Sequence, residues 1–171
     1  MEANLLITFE PTHAGRAKEE VESLLKDAKE KAKYIESGIQ GMFGVAVKDA
    51  RKIVKKAREE AKKNPEKFSV TYHYTPIDKW CKTDIKEMQK IIKDLAKNIK
   101  DKEKWKLNLN KRQYDKMHSK ELILKLTELI EKPNVDLDKP DKIIQVEIIG
   151  NKAGLALLGK DELLDLSNFR K

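Results

Sequence analysis

Cysteine, long apolar runs and catalytic motifs are what this 171-residue sequence has least of. Cys81 is its only cysteine, so no internal disulfide can form and the fold must hold by packing alone. No stretch approaches the ~18 consecutive apolar residues a membrane span requires, and nothing reads as a secretion leader. The expected compartment is therefore the cytoplasm, with no membrane partner. The three histidines, His13, His73 and His118, lie in three separate segments without a second cysteine or a spaced histidine, so no metal is expected. No serine or cysteine stands in a nucleophile motif that would give a histidine a catalytic role. Gly38, Gly41 and Gly44 recur every third residue, but neither a GxGxxG in strand-turn-helix order nor a GK[ST] ending accompanies them, and they read as turn glycines. Asp136, Asp138 and Asp141 are interleaved with Lys139, Pro140 and Lys142 and lack EF-hand spacing, which makes them a charged loop. Aromatics are scarce at 6%, and Tyr72, Tyr74, Trp80 and Trp105 sit in strand-like or connecting segments where rings fill cores more often than they stack on bases. These exclusions leave no catalytic residue and no cofactor, and a protein that is not an enzyme is expected.

Charge is what the sequence has in excess. Charged and hydrophobic residues each make up 39%, enough apolar material for a core under a densely ionic surface. The net charge of +8 favours polyanionic partners. Its distribution is uneven: residues 82–125 hold 14 Lys or Arg against 7 Asp or Glu, whereas residues 126–171 hold 7 against 9. The first 80 residues, with 16 against 13, carry the alternating charges of ordinary solvated helices.

Periodicity divides the chain in two. Asn4 to Phe9 is a short apolar strand stopped by Pro11, and Val21, Leu24, Leu25 and Ala28 give residues 15–29 an apolar helical face. Two strand segments, KYIES and MFGVAV, flank the glycines as a hairpin. Ala50, Ile53, Val54, Ala57 and Ala61 form a second helical stripe ending near Asn64 and Pro65, and SVTYHYT alternates as a strand. The order β-α-β-β-α-β over residues 1–76 predicts an antiparallel sheet with both helices on one face, the ferredoxin-like arrangement. PIDKWCK reads as a connector, and a second unit fills residues 77–171. In it Ile85, Met88, Ile92, Leu95 and Ile99 face one way on a helix with lysines on the other side, and Thr83 or Asp84 can cap it. A strand over 105–112, a helix capped by Ser119, and strands KIIQVEII and GLALLG follow, with ELLDL as a short closing helix. The fold class expected is α+β, in two domains.

Strand 105–112 is the segment most suggestive of a ligand. Trp105, Leu107 and Leu109 point to one face, and Lys106, Asn108, Asn110 and Arg112 to the other. With Lys111 next to Arg112 and Lys104 and Lys116 flanking, this row of cations and amides suits phosphates and sugar hydroxyls, although a solvated sheet face has the same pattern. Arg112 is one of five arginines, and its planar fork distinguishes it from the lysines around it.

The second unit resembles a THUMP domain from about Val70 to Leu158. The resemblance is carried by YTPIDKWCKTDI entering the helix, KWKLNLNKRQ on the basic strand, and VDLDKPDKIIQVEIIGNKAGLALL, which is similar to the family's VDL-x-x-P-x-x-x-I-x-V-E-I segment. It implies an RNA-binding module that grips the acceptor stem of tRNA. The family's basic strand falls on Lys106, Lys111 and Arg112, and its loop before the last hairpin on Lys139 and Lys142. A ferredoxin-like domain directly before a THUMP domain resembles the stand-alone proteins that assist tRNA cytidine acetylation. That implies an adaptor presenting tRNA to a separate acetyltransferase. Two other readings stand beside it: an RNA-binding subunit for a tRNA methyltransferase or sulfur-transfer enzyme, and a small ligand-binding or enzymatic domain with its site between the two units.

Overall fold

The computed structural model describes residues 2–170, and the chain separates into two compact units at Ile77/Asp78 and again at Lys160/Asp161. The fold is α+β, with two sheets and four α-helices among the described residues.

In the first unit β1 (Leu5–Phe9), α1 (Ala14–Asp27), β2 (Lys33–Glu36), β3 (Met42–Ala46), α2 (Ala50–Lys63) and β4 (Thr71–Pro76) follow the predicted order. The strands form an antiparallel sheet ordered β2-β3-β1-β4, the ferredoxin-like arrangement. Leu5 and Ile7 of β1, Val45 of β3 and Tyr74 of β4 share one core with Val21, Leu24 and Leu25 of α1 and Ile53, Val54 and Ala57 of α2, so both helices cover the same sheet face. The Asp49 side chain accepts from the Lys52 amide and starts α2. Gly38 and Gly41 have left-handed backbone (φ +76° and +78°) in the β2–β3 turn. Gly44, read as a turn residue from the sequence, lies inside β3 instead. It is needed there because a Cβ would come within 3.0 Å of the Ile35 carbonyl oxygen and 3.1 Å of Ala3 Cβ.

α1 also carries a buried carboxylate. Glu20 Oε2 accepts from the Ser69 amide and hydroxyl, each at 3.0 Å, and from the Val70 amide at 3.2 Å. Its Oε1 accepts from the Thr71 amide at 3.1 Å and the Thr71 hydroxyl at 3.0 Å. One side chain thus satisfies three consecutive backbone donors where the chain enters β4.

The segment from Asp161 onward differs from its sequence reading in shape and in place. ELLDL is not a helix: β9 (Leu164–Asp165) pairs with β4, and a 3-10 turn spans Leu166–Phe169. The division at residue 76 puts this segment in the second unit, but it packs with the first. Leu164 and Leu166 are buried in the first core, Arg58 donates to the carbonyls of Asp161 and Leu163, and Arg170 donates to those of Phe68 and Thr71. Too short to propagate a helix alone, it takes the open edge of β4.

The second unit contains β5 (Lys79–Lys82), α3 (Ile85–Ala96), β6 (Trp105–Arg112), α4 (Ser119–Thr127), β7 (Lys142–Ile149) and β8 (Lys152–Gly159). The sheet order is β5-β8-β7-β6, with β6 and β7 parallel and the other pairs antiparallel. KWCK is therefore a strand and not the connector its composition suggests. It is four residues long and half exposed, and its extended state comes from pairing with β8. α4 lies in the connection between β6 and β7 that a parallel pair requires. Met88 and Ile92 of α3 and Leu122 and Leu126 of α4 share a core with Trp105, Leu107, Ile144, Val146 and Ile148, so α3 and α4 cover the odd-numbered face of β6. Asp84 caps α3 by accepting from the Glu87 amide at 3.0 Å. Ser119 is the first residue of α4 and not its cap, a position held by His118 without a side-chain bond.

Candidate nucleic-acid interface

The parallel register of β6 on β7 decides what the basic strand can do. Asn108 stands opposite Gln145, Asn110 opposite Glu147, and Arg112 opposite Ile149. In a parallel pair such neighbours share a face, and here they form a polar ladder. Asn108 Nδ2 donates to Gln145 Oε1 at 3.2 Å, and Gln145 Nε2 donates to Glu147 Oε2 at 2.7 Å. Asn110 Nδ2 donates to that same oxygen at 2.7 Å, and Arg112 Nη1 donates to Glu147 Oε1 at 3.0 Å. Gln145 and Glu147 are each only 2% exposed, so the ladder closes around a buried carboxylate. The amides and the arginine predicted to face a ligand are thus engaged within the fold, although 26% of the Arg112 side chain stays accessible.

Gln145 and Glu147 escaped the sequence reading, yet their signal was present: they are the two polar positions, at a spacing of two, inside KIIQVEII. Once Asn108 and Asn110 are aligned with them, the alternation on both strands becomes one network. Lys111 falls on the odd-numbered side, where its Nζ donates to the Met117 carbonyl at 2.9 Å.

The remaining predicted residues divide in two. Lys104 Nζ lies 3.6 Å from Asp136, Lys142 Nζ lies 3.5 Å from Glu103, and Lys106 Nζ donates to the Leu137 carbonyl at 3.4 Å. Lys116 and Lys139 are exposed, and among the described residues neither ammonium has an ion pair. The loop before β7 is ordered by its own acids. Asp136 Oδ1 accepts from the amides of Asp138 and Lys139 at 2.9 and 3.0 Å, and its backbone amide donates to the Trp105 carbonyl. The Lys139 and Asp138 amides, with Lys104 nearby, hold the Asp136 carboxyl below the ordinary aspartate range. Asp141 accepts from the Lys104 amide at 2.9 Å, which ties the loop to the start of β6. This sets Lys139 at a fixed distance from the strand.

Among the described residues no group of three His, Cys, Asp or Glu is placed to hold a metal ion, and no helix is long and apolar enough to cross a membrane. The basic groups of the second unit can exert long-range attraction on a polyanion and local contact through the uncommitted lysines.

Comparison with known proteins bears on the same region. The model of the THUMP domain matches residues 82–158. No curated protein matches the chain. Among solved structures, 96% of the chain superposes on 55% of PH1313 from Pyrococcus horikoshii, with a TM-score of 0.67 and 14% identity. The same share superposes on 47% of TrmN from Thermus thermophilus, at a TM-score of 0.61 and 15% identity. It also superposes on 42% of a 4-thiouridine synthetase solved as an RNA complex with bound ATP, at 0.57 and 14%. The chain therefore spans about half the length of the structures it resembles, and at these identities the likeness is one of fold.

Proposed function

From a THUMP domain at residues 82–158 we propose that this chain binds transfer RNA in the cytoplasm and presents it to a separate cytidine acetyltransferase, without catalysing a reaction itself. The observation that carries this reading is coincidence of place. The matched domain contains the whole of the segment, residues 82–125, in which Lys and Arg exceed Asp and Glu by seven, and the rest of the chain has no comparable excess. Within the domain, Lys116, Lys139 and the accessible part of Arg112 are the groups proposed to contact the acceptor-stem backbone. The ferredoxin-like unit would contribute distance and orientation.

A second reading keeps the RNA and changes the client enzyme to a methyltransferase or a sulfur-transfer enzyme. It is favoured by the fold likeness to a 4-thiouridine synthetase solved with RNA. The experiment that separates the two is deletion of the gene followed by nucleoside analysis of total tRNA. The expected result is loss of N4-acetylcytidine with other modified nucleosides at wild-type levels. Intact N4-acetylcytidine together with a missing methylated or thiolated nucleoside removes the first reading in favour of the second.

A further inference from the structure

The exposed lysines of α3 lie outside both the polar ladder and the loop before β7. Lys86, Lys90 and Lys93 belong to α3, and Lys97 is its C-cap. At 3.6 residues per turn these four positions fall within about 60° of arc and span about 16 Å along the helix axis. All four are exposed. Met88, Ile92 and Ala96, on the opposite side, are buried in the core, so the stripe points outward.

Helix stability alone does not account for this pattern. Lys86–Lys90 and Lys93–Lys97 are like-charge pairs at i,i+4, which destabilise a helix. Lys86 also lies in the first turn, where the helix dipole disfavours a cation. Glu87 and Asp94 flank the stripe on one side, and Lys97 at the C-cap pairs with Asp94 at 3.5 Å. Among the described residues Lys86, Lys90 and Lys93 have no ion pair. α1 offers the contrast, since its Arg16 is paired at i,i+4 with Glu20 at 3.7 Å.

The geometry points to the solvent face of α3 as a binding track for the sugar-phosphate backbone of RNA, used alongside Lys116 and Lys139. This rests on the proposed tRNA binding and adds a location that the basic strand does not supply. Lysine suits the task because each ammonium acts as a point charge without demanding a particular base or fork geometry. An anionic lipid surface fits less well. A helix that lies in a membrane interface exposes an apolar face beside its cations, and the apolar face of α3 is buried.

The test uses the full chain and unfractionated tRNA, with affinity measured from about 50 to 200 mM salt, where counterion release is resolved. The variant Lys86→Gln/Lys90→Gln/Lys93→Gln/Lys97→Gln keeps helix propensity and leaves the buried face untouched. It is expected to bind tRNA at least about tenfold more weakly and to lower the slope of log K against log salt by about 3. A control, Lys48→Gln/Lys55→Gln/Lys62→Gln/Lys63→Gln, removes the same charge from exposed positions in and near α2 and is expected to change affinity less than about threefold. Equal losses in the two variants, or wild-type affinity in the α3 variant, would overturn the inference while leaving tRNA binding intact. Absence of tRNA binding by the unaltered chain would overturn both. Vesicles of anionic phospholipid form a parallel arm: loss of vesicle binding with unchanged tRNA affinity in the α3 variant overturns the RNA assignment. If the quadruple variant loses its circular dichroism signal, the pairs Lys86→Gln/Lys90→Gln and Lys93→Gln/Lys97→Gln are measured instead. Each is expected to lower the slope by about 1.5, and no change in either overturns the inference.

Discussion

Replacing Glu20 with alanine is expected to destabilise the first unit by roughly 3–5 kcal/mol, among the largest effects of any single substitution in the chain. The Glu20 side chain is 3% exposed and accepts from the amides of Ser69, Val70 and Thr71. Truncation strands those donors at the start of β4. Glu20→Gln is expected to be nearly as damaging. Both carboxylate oxygens accept backbone N–H groups, so one face of a carboxamide would present its own N–H to a donor. The Arg16 contact, at 3.7 Å with Arg16 56% exposed, adds little, and Arg16→Ala should cost less than about 1 kcal/mol. Urea unfolding followed by far-ultraviolet circular dichroism measures all three. A loss below about 1 kcal/mol in Glu20→Ala would mean that the strand entry finds other partners.

Much of this was legible in the sequence, and the exceptions share a cause. The helices announced themselves because their apolar stripes are local: Ile53, Val54, Ala57 and Ala61 need only the period of α2 to be recognised as core. The short strands β5 and β9 did not, since each is defined by a partner far away in sequence: Cys81 pairs with Ala153, and Leu164 with Tyr74. Glu20 gave no signal at all. In an isolated helix it is one more glutamate among Glu19 and Glu22, and only the approach of residues 69–71 makes it an acceptor for five donors. The basic strand was read correctly in its alternation and incompletely in its meaning. A row of Lys106, Asn108, Asn110 and Arg112 has the same pattern whether it faces a ligand or a second strand, and the parallel register on β7 decides between them. The stripe on α3 shows the reverse: the sequence places these lysines opposite an apolar face within the basic segment 82–125, and they gain weight because the strand's cations are engaged elsewhere.

The Arg112–Glu147 pair is expected to give the second large effect. Arg112→Ala leaves the Glu147 carboxylate, 3% exposed, with Asn110 and Gln145 as its remaining donors, and should cost roughly 2–4 kcal/mol. Glu147→Ala should cost less, because Arg112 is 26% exposed and its guanidinium can turn to water once the carboxylate is gone. The double variant Arg112→Ala/Glu147→Ala should therefore be less destabilised than the sum of the singles, with a coupling energy of about 1.5–3 kcal/mol by urea unfolding. Strict additivity would sink the claim that the ladder is organised by this ion pair. The same cycle separates structure from ligand binding at Arg112. If Arg112 serves mainly to satisfy Glu147, then Arg112→Ala and the double variant, each assayed where it remains folded, should retain the wild-type salt slope for tRNA. If its accessible nitrogens also hold a phosphate, both variants should lose about one unit of that slope while Glu147→Ala keeps it.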